Sequence, residues 1–443
     1  MLLQFRVENY KSFVDEALFS MEAAPKQKGL DYSLSTFKCK RRVIKGLSSS
    51  VIYGPNAAGK TNIIGAMDTF RSIVLRGNIR NAEEKGSPNP ASESLELIPN
   101  NTLNEVKPVS FGVVFLEQNL LIEYDVDMNL GTFLDNSYDR KIVSEKLLVN
   151  ETVVFERKEN LEIQNLDVIK EYLSESVSLN IEGINQIAYN SLNKEELFLT
   201  NGFKLLYSQK LVQLITDWFT NKFMVICRAD SLQLIKRFAD PQKPAVYIEK
   251  TTNKAAKLFG INSNAVGYVV GDEDSSAKLC SIFKDEQNQK IATMAAELFE
   301  SYGTIRFITI FPLVLKAILT GGTLIVDEFD ASIHPMALMN IINIFHNDDI
   351  NIHHAQIIFN THNPIFLNSN LLRRDEIKFV ERDDDTHLSV LYSLSDFGTT
   401  GDRGVRKHDD YMQHYFVSEY GAIKDIDFTP IFEELLNTES EGE

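Results

Sequence analysis

The eight residues Gly54-Pro55-Asn56-Ala57-Ala58-Gly59-Lys60-Thr61 satisfy the pattern G-x-x-x-x-G-K-[ST] without a mismatch. Nothing else in the chain constrains its fold so tightly, because this loop works only between an apolar strand and a helix. Val51-Ile52-Tyr53 supplies the strand. From Asn62 to Leu75, residues Ile63, Ala66, Met67, Phe70 and Val74 recur at three- and four-residue spacing, which predicts the helix. Glycines let backbone N–H groups approach an anion closely, and the helix start adds the positive end of its dipole. On this reading Gly54, Asn56, Ala57, Ala58, Gly59, Lys60, Thr61 and Asn62 cradle the phosphates of ATP. Lys60 reaches the β- and γ-phosphates, and the Thr61 hydroxyl holds Mg²⁺.

Such a loop needs a second element, an apolar strand that ends in a carboxylate. Thr323-Leu324-Ile325-Val326-Asp327-Glu328 fits. Asp327 would hold Mg²⁺ together with Thr61, and Glu328 would polarise the attacking water. Lys60 and Asp327 are 267 residues apart, far more than a compact P-loop domain needs between these two elements. A large insertion is therefore expected. The fold class predicted is α/β, a P-loop NTPase head with a mixed sheet flanked by helices. Residues 1–139 and 291–443 would form its two halves, and 140–290 an inserted, mainly helical domain.

The rest of the chain supports an α/β reading. Phe111 to Phe115 and the alternating Ile122, Tyr124, Val126 and Met128 predict antiparallel strands, continued by 142–149 and 153–157. Leu211, Leu214, Ile215, Trp218 and Phe219 form the stripe of an amphipathic helix, with Trp218 as a core anchor. Gly77 to Asn101, with Pro88, Pro90 and Pro99, reads as a loop. From Lys290 onward, apolar helix, strand, helix and strand alternate, the texture of a parallel-sheet unit.

Composition narrows the setting. Forty-five basic against 62 acidic residues leave a net charge of −17, which excludes a bulk nucleic-acid coat. A local basic groove could still form at Arg373-Arg374, or at Arg403 with Arg406 and Lys407. Cys39, Cys227 and Cys280 are widely spaced and give no disulfide framework. Met1 to Val7 has no signal-peptide pattern and reads as a first strand. The most apolar stretch, Ile305 to Leu319, is 15 residues long and broken by Arg306, Thr309 and Lys316, so a buried helix is expected rather than a membrane span. A cytoplasmic protein is the expectation.

Three weaker signals flank the acidic strand. Glu300-Ser301-Tyr302-Gly303-Thr304 is a polar turn opening the apolar helix, with helix capping by Ser301 as the alternative role. Asp330-Ala331-Ser332-Ile333-His334-Pro335 follows the strand, and Phe359-Asn360-Thr361-His362 ends the next one. His353-His354 beside Asp348-Asp349 suggests either a metal site or, more simply, a solvated loop. Glu381 to Asp385 reads as a hairpin turn.

Taken in order, P-loop, long insertion, Ser-x-Gly turn, acidic strand, Asp330 loop and His362 resemble the ABC-type ATPase heads of the SMC/RecF/OLD group. The opening Phe5 to Phe13 resembles the start of those heads. The run Asp327 to Pro335, Arg373 to Ile377 and Tyr420 to Ile423 resemble more narrowly the small AAA-type ATP-binding proteins of prokaryotic abortive-infection and anti-phage defence loci. The resemblance covers about 1–135 and 290–425. It implies a homodimer or higher oligomer with ATP sandwiched between heads. Ser301, Gly303, Thr304 and Asp330 of one subunit would face the nucleotide of the other, and His362 would meet the γ-phosphate. The Ser-x-Gly turn is shorter than the usual signature of such heads, and Gln118 is the only candidate for their Q-loop glutamine. Only 81 residues follow His362, too few for a nuclease domain of the OLD kind. The expected output is therefore control of a separate effector, a toxin or nuclease. Clamping of DNA is the alternative.

Overall fold

A computed structural model of the chain describes residues 1–25, 27, 29–39, 42–80, 95–103, 105–133, 139–175, 177, 180–227, 250–270, 277–285, 290–399, 404–406, 409–424 and 426–440. Pro88 and Pro90 of the expected loop, and Arg403 and Lys407 of the expected basic patch, lie outside these residues.

Two sheets organise the head. The P-loop sheet has six strands in the order Phe223–Ile226, Thr323–Val326, Gln356–Asn360, Ser49–Tyr53, Ile377–Arg382 and Ser389–Ser393. The first five run parallel, and the last closes a hairpin antiparallel to its neighbour. The strand before the P-loop thus lies one strand away from the strand that ends at Asp327. Both faces of this sheet are covered, which is why its strands read as continuous apolar runs. Ile52, Ile325 and Ile358 point to one core. Val51, Tyr53, Leu324, Val326, Ile357 and Phe359 point to the other.

The first core lies beneath the P-loop helix, Lys60–Arg76, and a seven-stranded antiparallel sheet. The order of that sheet is Leu161–Ile163, Thr152–Arg157, Lys141–Val149, Leu120–Asn129, Val109–Glu117, Leu2–Glu8 and Ala17–Ser20. The second core is made by the helices Tyr302–Thr320 and Pro335–Phe345.

The division at 139/140 needs correcting. Lys141–Val149 pairs with Leu120–Asn129 in the same antiparallel sheet, so the boundary falls inside a ladder. The amphipathic helix is present as Gln209–Asp217, extended by Trp218–Lys222, and Ser208 caps it by accepting from the Leu211 N–H. Trp218 stacks on Phe115 of the seven-stranded sheet at 3.9 Å between ring centroids. The next strand, Phe223–Ile226, enters the P-loop sheet beside Thr323–Val326. The segment 140–226 is therefore built into the head by shared hydrogen bonds and a shared core. Among the described residues, Ala265–Val270, Ala277–Asp285 and Lys290–Ala295, the last of which crosses the expected end of the insertion, form a sheet of their own.

The apolar helix is longer than its sequence suggests, 19 residues, with Pro312 inside it. By length and composition it could cross a bilayer. Here it is a core helix, with Phe307, Ile308, Ile310, Leu313, Val314 and Ala317 buried and Arg306 turned to the sheet.

Candidate functional site

The P-loop leaves the end of Ser49–Tyr53 through Gly54, whose φ of +154° and close packing exclude a side chain. A Cβ there would lie 2.2 Å from the Val380 carbonyl oxygen. Ala57 and Gly59 also take positive φ values, 62° and 111°, and turn the loop into the helix. Two distant segments back it. Ser389 Oγ donates to the Ala58 carbonyl at 2.6 Å, and Asn62 Nδ2 donates to Ser12 Oγ at 2.8 Å. No side chain caps the helix at Gly59; the Asn62 and Ile63 N–H groups bond the Gly59 carbonyl, which leaves those of Lys60 and Thr61 for an anion.

Lys60 is 6% exposed and folds back on the loop, donating to the carbonyls of Gly54 at 2.8 Å and Pro55 at 2.9 Å. Burial lowers its pKa to about 8, against the pull of Asp327 and Glu328 in the other direction. Thr61 Oγ1 donates to Asp327 Oδ1 at 3.1 Å. A hydroxyl and a carboxylate so close are hard oxygen donors that suit Mg²⁺. Glu328, the next residue, is exposed and carries a φ of +50°. His362 follows the strand Gln356–Asn360. Burial, then the Lys60 ammonium, push its imidazole below the ordinary histidine value, while Asp330, Glu328 and Asp327 act the other way. A neutral imidazole results at neutral pH.

The expected trans-acting residues lie together on another surface. Ser301 caps the helix Tyr302–Thr320, its Oγ accepting from the Thr304 N–H at 3.1 Å and lying 2.8 Å from Thr304 Oγ1. The capping alternative is thus satisfied, while Ser301 itself remains exposed. Gly303 is buried, and a Cβ on it would lie 2.0 Å from the Ser332 carbonyl oxygen. Tight packing of the Ser301 turn on the Asp330–Ser332 loop makes one continuous surface. A cavity of about 560 Å³ opens there, lined in part by Gly260, Ser301, Thr304, Ser332, Met336 and Asn340. A smaller cavity of about 240 Å³ adjoins the P-loop, with Lys11, Ser12, Ala57, Asn62, Phe133 and Arg382 in its wall.

Several sequence expectations are corrected. Gln118 lies in the tight turn Gln118-Asn119, at the end of its strand that lies beside Met1 and Leu2. The Leu2 N–H donates to Gln356, the start of the strand whose far end approaches the P-loop, so Gln118 sits at the wrong end of the head for a nucleotide contact. Arg373 and Arg374 line no open groove. They are 5% and 4% exposed, Arg373 pairing with Asp375 at 2.9 Å and Arg374 donating to the carbonyls of Leu394 and Phe397. His354 packs on Phe37 and bonds Ser35. Among the described residues no group of three or more His, Cys, Asp or Glu side chains is placed to hold a metal ion.

Two residues of the site are given no role in it by the sequence reading. Asn360 bonds both Asp327 and the Glu328 N–H, and Arg306 bonds the Glu328 carbonyl at 2.6 Å. Each carried a faint signal. Asn360 is a polar residue at the end of an apolar strand, and Arg306 is a charge inside an apolar helix.

Comparison with known proteins adds a family. The family model described as "AAA domain, putative AbiEii toxin, Type IV TA system" matches residues 49–368, from the P-loop strand to just beyond His362. No curated protein matches the chain. Among solved structures, the SMC head domain from Thermotoga maritima is 12% identical, with 88% of this chain and 98% of that one covered and a TM-score of 0.35.

Proposed function

Because this chain belongs to the AAA-domain family described as putative AbiEii toxin, Type IV TA system, we propose that it binds and hydrolyses ATP, and that the resulting change in its head controls a separately encoded effector in anti-phage defence. One observation carries the enzymatic part. Lys60, Thr61, Asp327, Glu328 and His362, drawn from three strand ends, converge at one edge of the P-loop sheet.

Each group then has a distinct task. Lys60 exchanges its two loop carbonyls for the β- and γ-phosphates, a charge-assisted contact stronger than the neutral ones it leaves. The free N–H groups at the helix start take up phosphate oxygens. Thr61 and Asp327 would hold Mg²⁺, which when bound neutralises phosphate charge. Glu328, exposed beside these groups, accepts a proton from the attacking water. His362, neutral at physiological pH, donates an N–H to the γ-phosphate. The smaller cavity beside Ser12 and Arg382 takes the nucleoside end.

Ser301 stays exposed although it caps its own helix, and we assign it, with Gly303 and Asp330 beside it, to the nucleotide of a second copy. Closing that dimer is the mechanical output. The insertion, 140–290, is the part of the chain expected to carry the partner contact; we propose that this contact lies on the separate sheet of Ala265–Val270, Ala277–Asp285 and Lys290–Ala295. The DNA-clamp alternative loses one of its two candidate basic patches, since Arg373 and Arg374 are buried. The test is phosphate release by the purified chain with ATP and Mg²⁺, beside Lys60→Ala. Equal release by both proteins would reject the proposal.

A further inference from the structure

The peptide unit between Asp327 and Glu328 is gripped from two sides. Asn360 Nδ2 donates to Asp327 Oδ1 at 2.5 Å, and Asn360 Oδ1 accepts the Glu328 N–H. From the opposite helix, Arg306 Nη2 donates to the carbonyls of Glu328 at 2.6 Å and Asp327 at 3.3 Å. Asn360 is 1% exposed, and Arg306 and Asp327 are each 5% exposed. Glu328 holds a φ of +50°, a left-handed conformation that a residue with a long side chain keeps only where its surroundings impose it. That turn parts two adjacent carboxylates. Asp327 stays buried against Thr61, and Glu328 comes out to the exposed edge.

We propose that Asn360 is a positioning residue for ATP hydrolysis, aiming Asp327 and Glu328 at their separate tasks without itself touching the nucleotide. The proposal rests on the reading of Asp327 as the metal-holding residue and Glu328 as the base. A primary amide suits the role because one planar group offers a donor to a carboxylate and an acceptor to an N–H. The donor fixes the rotation of the Asp327 carboxylate, whose Oδ1 also receives Thr61. The acceptor holds the left-handed turn that exposes Glu328. Asn360 is also tied into the ladder with Ile52, so its amide is referenced to the strand that carries the P-loop.

The test uses the full chain as wild type, Asn360→Ala, Asn360→Asp and Glu328→Gln. Asn360→Ala should lower kcat roughly tenfold to a hundredfold, the usual cost of removing a group that orients metal ligands. Its affinity for a fluorescent ATP analogue in EDTA should stay within about twofold of wild type, since orientation rather than ground-state binding is lost. In nucleotide-free protein, hydrogen exchange at the Glu328 amide should accelerate in Asn360→Ala. It should remain slow in Asn360→Asp, which keeps the acceptor but sets a second carboxylate beside Asp327 and so still loses turnover. Wild-type kcat in either variant, or unchanged exchange in Asn360→Ala, overturns the inference. So does a loss of Mg²⁺-free nucleotide binding that parallels kcat, because that marks a general packing role. If Asn360→Ala does not fold, the near-isosteric Asn360→Asp decides alone. Wild-type turnover in Glu328→Gln would instead remove the base assignment, and the exchange experiment would still read the Asn360 contact.

Discussion

Thr61 and Asp327 meet through a 3.1 Å hydrogen bond although 266 residues separate them. Their meeting depends on the strand Gln356–Asn360, which pairs with the P-loop strand on one side and with Thr323–Val326 on the other. The site is therefore assembled by the sheet, from residues that follow three of its strand ends.

Lys60→Ala is expected to abolish ATP binding and turnover, because water cannot replace a phosphate-facing ammonium in a closed site. Lys60→Met should do the same, yet leave the nucleotide-free protein as resistant to heat as wild type or more so. The buried charge costs stability in the empty protein, as its depressed pKa shows. Calorimetric titration with ATP and thermal unfolding check both parts. Clear destabilisation by methionine would contradict the account.

A pH dependence follows from the same group. In the nucleotide-free fold Lys60 titrates at about 8, well below the 10.5 of an exposed lysine. Above pH 8 the unfolded chain thus binds more protons at this position, so Lys60 contributes rising stability between about pH 8 and 10.5. Phosphate binding runs the other way, since it favours the charged form. ATP affinity should fall as pH rises through about 8, and the rise in stability between about pH 8 and 10.5 should be missing from Lys60→Met. A wild-type affinity that stays flat from pH 7 to 9 would contradict it.

The P-loop, its helix, the Asp327 strand and the antiparallel strands were legible because each rests on local pattern, a motif or a periodicity. What was not legible depends on partners far away in sequence. The 139/140 boundary failed because a composition shift toward helix does not reveal that Lys141–Val149 pairs with Leu120–Asn129. Arg373-Arg374 looked like a surface patch because two adjacent arginines usually are, whereas here Asp375 pairs with Arg373 and two loop carbonyls accept from Arg374 inside the fold. Asn360 and Arg306 were given no role because their importance lies in bonds to the Glu328 backbone, which no motif encodes.

Ser301→Ala separates two roles of one side chain. Loss of the helix cap should cost about 1 kcal/mol of stability. If Ser301 also faces the nucleotide of a second copy, turnover should fall while ATP binding to the isolated head persists. Gly303→Ala should be harsher, about 1–3 kcal/mol, because its methyl meets the Ser332 carbonyl. Denaturant melts beside turnover assays check the pair, and unchanged turnover in Ser301→Ala would leave capping as its whole role.

Glu328→Gln should accumulate a closed dimer with ATP and Mg²⁺, because the amide fits the site while removing the proton acceptor. Light scattering after size exclusion checks this. A strictly monomeric variant under those conditions would count against ATP-sandwiched heads.

The most direct test of the central claim is the rate of phosphate release by Glu328→Gln relative to wild type, at saturating ATP and Mg²⁺. The account predicts wild-type ATP affinity and release slower on the order of a hundredfold or more. Equal release rates in the two proteins would contradict it.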